Sequence, residues 1–169
     1  TEEYLAQEQL RTPHEAQVFF WEVLEDVSQD PDIGLHLGEY LPVFKGQVLE
    51  YLFLSSPNFG EGIRRGIAYQ RLLSDAADIR LDIEGDMACI TLNVATPAVR
   101  QIRHFSECFT LGLLKFFRFV TEGAFQPYRI DFEHKAPKSS TEHERLFGAE
   151  VRFDQPLTQL WFKAELLNL

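Results

Sequence analysis

Five histidines, His14, His36, His104, His134 and His143, are the side chains of this 169-residue chain best placed to titrate or ligate near neutral pH. None pairs with another at the spacing that sets two ligands on one helix or strand, so no local metal signature arises and no metal is expected. His104 lies in a helical run, where it could ligate a haem, although a hydrogen-bonded or solvent-facing histidine is the simpler reading. Nucleophilic and phosphate-binding motifs are missing: the chain contains no G-x-S-x-G elbow, P-loop, Rossmann glycine fingerprint or H-E-x-x-H. No catalytic residue or cofactor is therefore assigned.

Polar residues on faces that should be buried are more informative. In the run 127–134, Tyr128, Ile130, Phe132 and His134 alternate with charged residues, so His134 either reaches the sheet rim or points into a cavity. Arg103 precedes Phe105 on the longest apolar helix, and Tyr69 stands about one helical turn from Gly66. Gly62 and Gly66 are four apart inside a helix, where each glycine costs roughly 1 kcal/mol relative to alanine. Close packing or a ligand must compensate. The candidate ligand site is therefore Gly66, Tyr69, Arg103 and His134, with Gly66 leaving space and the others directing hydrogen bonds to a small metabolite. Arg64, Arg65 and Arg71 read as a solvated basic face paired with nearby acids.

The elements that must position these residues follow from periodicity. Thr12-Pro13-His14-Glu15 forms a capping box, and Ala16, Phe19, Phe20, Val23, Leu24 and Val27 then fall on one helical stripe. The segment 33–38 is short and helical or irregular, and 45–54 favours a helix over a strand, although Tyr51-Leu52-Phe53-Leu54 fits either period. Asn58 caps a helix running to about residue 74. Alternation over 80–94, with Gly85-Asp86 at the turn, predicts a hairpin. Pro97 opens the longest helix, 98 to about 122, which ends at Gly123 and should cross the sheet as the core helix. The run 127–134 is a strand, and Thr141-Glu142-His143-Glu144 has capping-box spacing for a short helix ended by Gly148. Strands at 151–154 and 159–166 close the chain. The expected fold is α+β: N-terminal helices and a mostly antiparallel sheet of about five strands packed on a long core helix.

A content of 45% apolar residues over this length suits one domain, 1–169, with an N-terminal helical segment at 1–30. The formal charge of −10 argues against gripping a phosphate backbone. Cys89 and Cys108 are too few and too far apart for a disulfide framework and read as buried thiols. The apolar stretch 111–120 is interrupted by Lys115 and Arg118, and no signal peptide opens the chain, so a soluble, cytoplasmic protein without a membrane partner is expected.

The segments PYRIDFEHKAP, ERLFGAEVRFDQPLTQLWFKAELL and NFGEGIRRGIAYQRLL resemble the N-terminal effector-binding domain of AraC/XylS-type bacterial transcription regulators, over about 34–169. That resemblance implies a small-molecule effector, a homodimer, and DNA contact only through a C-terminal helix-turn-helix domain absent from this chain. A sequence that opens at Thr1 and lacks that domain is expected to be an excised sensing domain. Glycine at positions 62 and 66 departs from the larger residues expected in the family. A stand-alone small-molecule or haem-type sensory module is the alternative, and a small enzyme with a site assembled from distant residues is the third.

Overall fold

The computed structural model describes Pro13, Ser74 and residues 16–41, 46–72 and 77–169. Among the described residues four helices come first: α1 (Ala16–Ser28), α2 (Ile33–Tyr40), α3 (Val48–Leu54) and α4 (Phe59–Ala68). The β1 (Ala77–Glu84) and β2 (Met87–Val94) hairpin follows, then α5 (Pro97–Arg100), α6 (Arg103–Val120), β3 (Arg129–Asp131), α7 (Thr141–Phe147), β4 (Glu150–Arg152) and β5 (Gln159–Lys163). The five strands form one sheet in the order β1-β2-β5-β3-β4, with only the β3–β4 pair parallel. This is the α+β arrangement expected from the sequence.

Register explains the core. Leu81, Ile90, Leu160, Ile130 and Val151 stand side by side across all five strands and face α6. The helix answers with Leu111, Leu113, Leu114, Phe116 and Phe117, all buried. Phe53, Phe59, Phe117, Phe125 and Phe162 form a chain of ring contacts with centroids 4.9–5.9 Å apart, joining α3, α4, α6 and β5. The opposite row is polar, yet Asp131 within it is buried, where the Trp161 indole donates to it at 3.0 Å.

Several boundaries depart from periodicity. The expected long helix is two: α5 stops at Arg100, and Ile102 takes an extended conformation before α6 begins. The helix opened by Asn58 ends at Ala68 instead of residue 74, with a 3-10 turn at Gln70–Leu72. Its cap is as expected, the Asn58 side chain accepting the Glu61 amide at 2.9 Å. The short helix does start at Thr141, but Ser140 takes the cap position and bonds the Glu144 carboxylate, so the Thr141 capping box is not formed. Gly148 ends it at φ 65°, and Arg118 from α6 donates to the Phe147 carbonyl at 3.0 Å. The proposed capping box at residues 12–15 lies, apart from Pro13, outside the described residues.

On α1 the predicted stripe faces outward: Phe19 is 72% and Val27 76% exposed, while Trp21 turns inward. Among the described residues no helix is long and apolar enough to cross a membrane.

Glycine sets the closest helix approach. A Cβ on Gly34 of α2 would lie 2.5 Å from the Cα of His104, and one on Gly38 would lie 2.9 Å from the Cys108 carbonyl oxygen, both on α6. The Lys115 ammonium, also from α6, donates to the terminal carbonyls of Gly38 and Glu39. Gly62 packs similarly, its absent Cβ falling 2.6 Å from the Phe53 ring, which identifies the compensating reason for glycine there as packing. Alanine ordinarily improves a helix by about 1 kcal/mol over glycine. Gly34→Ala is expected to reverse that sign and destabilise the fold by about 1–3 kcal/mol through overpacking against backbone. Gly66→Ala, which meets only the flexible ends of Leu49 and Phe53 at 3.3 Å, should cost less; urea unfolding of both variants checks the order.

Candidate functional site

Two neighbouring groups of α6 side chains carry different chemistry. In one, Glu107 is completely buried, and its Oε1 receives Arg103 Nε at 2.7 Å and His143 Nε2 from α7 at 2.5 Å. His134 Nε2 lies 3.6 Å from the same oxygen, and His104 Nδ1 lies 3.8 Å from Oε2. Arg103 is shared, its Nη2 reaching Asp32 at the start of α2 at 2.5 Å. Burial alone pushes the Glu107 carboxyl upward, but the neighbouring imidazoles of His104 and His143 and the Arg103 guanidinium outweigh it and hold the group at about 2. Burial pushes His134 the other way, favouring its neutral form. Glu107 is thus an anion locked inside the protein.

The nest is not fully satisfied. Glu107 Oε2, His134 Nε2 and His143 Nδ1 are buried without hydrogen-bond partners. Among the described residues, however, no group of three or more His, Cys, Asp or Glu side chains is arranged to hold a metal ion. Phe132, Phe147 and Phe153 pack around the imidazoles of His134 and His143, which keeps the nest dry on the α7 side.

Beside it on the same helix, Ser106, Phe109 and Thr110 look onto the β1–β2 hairpin across a cleft of about 60 Å³, lined also by Ile79, Leu92 and Asn93, and by Arg100 at the end of α5. A second space of about 40 Å³ shares Ile79 and Phe109 with it and continues between Leu49, Phe53, Gly66, Ile90 and Leu113, an apolar end. In the first lobe the Thr110 hydroxyl is buried without a hydrogen-bond partner. Arg100 donates from Nη1 to Asn93 at 3.1 Å, and its Nε lies 3.4 Å from Glu133. Two adjoining spaces, one apolar and one with a few directed polar groups, have the build of a small-molecule site.

The four residues singled out by sequence divide between these places. Arg103 and His134 meet around Glu107; Gly66 lines the apolar lobe; Tyr69, at the C-terminal end of α4, is 53% exposed. The sequence reading missed Glu107, Arg100 and Thr110. Glu107 follows Arg103 by four residues, the ion-pair spacing of a helix, and that was the available signal. Cys89 and Cys108 are buried thiols, and burial raises them to about 12 and about 11, which leaves them unreactive.

The depressed Glu107 pKa fixes a pH dependence. Its stabilisation is fully present above about 4.5, the ordinary value, and is lost as pH falls toward about 2. Glu107→Gln, which leaves Arg103 without its buried partner, is expected to cost about 3–5 kcal/mol at pH 7. The stability gap between variant and parent should narrow as pH falls through that window in guanidinium titrations.

Over residues 1–169 the chain matches the family described as the arabinose-binding domain of AraC transcription regulators, at their N-terminus. It is 27% identical over 139 residues to the ornithine utilization regulator of Pseudomonas aeruginosa, an alignment covering 82% of this chain and 41% of that one. The crystal structure of the transcriptional regulator CdpR from Pseudomonas aeruginosa shares the fold, with a TM-score of 0.69 at 19% identity over 99% of this chain and 55% of that one. The chain therefore spans about half the length of the relatives it matches. With the whole of its length matched, the chain belongs to the family of N-terminal arabinose-binding domains of AraC transcription regulators.

Proposed function

We propose that this chain senses a small-molecule effector in the cleft between α6 and the β1–β2 hairpin, and that occupancy is passed through α6 to the Glu107 nest. The observation that carries this reading is the placement of both on one helix: Ser106 and Thr110 line the cleft, while Arg103 and Glu107, within one turn of them, hold α2 and α7. A helix held in this way can have two discrete seatings, and a ligand that favours one shifts the population. Family membership supports the regulatory role, and kinship with regulators is what supports a non-enzymatic one. DNA contact is assigned to another part of a longer protein, as the net charge of −10 favours, with the chain acting as a cytoplasmic homodimer.

Gly66 shapes the apolar lobe in this reading, whereas Arg103 and His134 serve the nest that responds to the ligand. Tyr69 is left to the surface around the site.

A thermal-shift screen of amino acids, sugars, fatty acids and aromatic acids tests the reading, with ornithine included because of the relative's name. A ligand at a hundred times its Kd stabilises the folded state by about 2.7 kcal/mol, or roughly 5–10 °C for a domain of this size. Ser106→Leu, which fills the cleft, should abolish that shift. A shift that survives this substitution would place the ligand elsewhere, and no shift with any compound would count against sensing.

A further inference from the structure

Resting on the sensing reading, we infer that the cleft takes a compact amphipathic anion: a carboxylate seated on Arg100 and Thr110, with a short apolar chain in the lobe beside Gly66. Arg100 is the only charged residue lining either lobe among the described residues, and it sits at the polar end. Asn93 and Glu133 engage its Nη1 and Nε, which orients the guanidinium and leaves Nη2 for the ligand carboxylate. Thr110 supplies an independent pointer. Thr110 lines the same lobe, and its hydroxyl is fully buried and lacks a partner; a buried hydroxyl left unpaired costs about 1–3 kcal/mol. A carboxylate oxygen would accept from it.

The second lobe selects the remainder of the molecule. Leu49, Phe53, Ile90, Leu113 and Phe117 offer no hydrogen bonds from their side chains, and Gln70, the polar residue there, already exchanges hydrogen bonds with the Ile79 backbone at 2.6 and 3.4 Å. An ammonium or sugar hydroxyl would be stranded in that lobe. The two spaces of about 60 and 40 Å³ together fall below the roughly 150 Å³ cavity that holds benzene, so the chain they admit is short. Glu133 adds a signature: its carboxylate competes for Arg100, so removing its charge should strengthen binding.

The test is isothermal titration of the 169-residue chain with butanoate, pentanoate, hexanoate and octanoate, with the corresponding primary amides and with ornithine. The expected result is binding of the acids at least tenfold tighter than the amides, with an optimum below octanoate. Arg100→Gln should erase the preference for acid over amide, and Glu133→Gln should tighten hexanoate by several-fold. Thr110→Val, nearly isosteric and free of the orphan hydroxyl, should retain the fold yet weaken hexanoate. Gly66→Ala should shift the optimum toward shorter acids. Equal binding of acids and amides, or an Arg100→Gln variant that discriminates like the parent, would overturn the carboxylate assignment. If another class binds and Ser106→Leu blocks it, this inference fails while the sensing reading stands; if no compound of any class binds, both fail.

Discussion

A carboxylate with no solvent access, set in the second turn of the central helix, constrains most of what surrounds it. Moving such a charge out of water costs several kcal/mol unless hydrogen bonds and opposite charge replace the solvent. Glu107 obtains them from Arg103 on its own helix and His143 on α7, and Arg103 in turn pairs with Asp32 at the head of α2. The two ends of the helical layer are thus registered against α6 by one ion rather than by shape alone. Exposed contacts add to the joint: Arg145 of α7 forms a pair of bonds to Glu39 of α2, and His36 lies between Asp30 and Glu142. These surface pairs are weak individually, and the buried one decides the geometry.

The same helix must also approach α2 closely enough for Arg103 to bridge to it. Gly34 and Gly38 make that approach possible by presenting bare backbone to His104 and Cys108. Electrostatics and sterics therefore act together on the α2–α6 crossing. On the far side α6 owes its hold to apolar contact with the sheet, which tolerates small sliding more readily than an ion pair does. A helix pinned on one face and softer on the other is a reasonable lever for a sensing domain.

Much of the fold was legible because local periodicity and tertiary burial agreed. The β1–β2 hairpin, the Asn58 cap, the Gly148 terminus and the core role of α6 all follow from patterns within a few residues. The failures share a cause. Val99 and Ile102 continue the helical spacing toward Phe105, so nothing local announces that Ile102 is extended; the break is imposed where α5 contacts β2 and α6 turns along the sheet. The α1 stripe has helical periodicity, yet which face is covered depends on distant partners, and Trp21 turns toward His104 instead. The candidate site was only half visible. Arg103 and His134 stood out as polar residues beside apolar ones, whereas Glu107 looked like any helix-surface acid until the fold brought His143 and His134 to it. Thr110 and Arg100 carry no sequence signal, because a cleft is a property of the space between elements.

Strand order has a consequence for how the molecule comes into being. β5, the last strand in the chain, occupies the middle of the sheet, with β2 on one side and β3 on the other. Until it is in place, the β1–β2 hairpin and the β3–α7–β4 unit share no backbone hydrogen bonds and remain separate nuclei with open edges. A ribosome making this chain releases both halves before the strand that joins them. Closure of the sheet is consequently a late step with a high loop-entropy cost, which favours slow folding. During that interval the inner row of Ile90 and Ile130 lacks its Leu160 neighbour, and shielding of those edges falls to α6, already synthesised and apolar on that face.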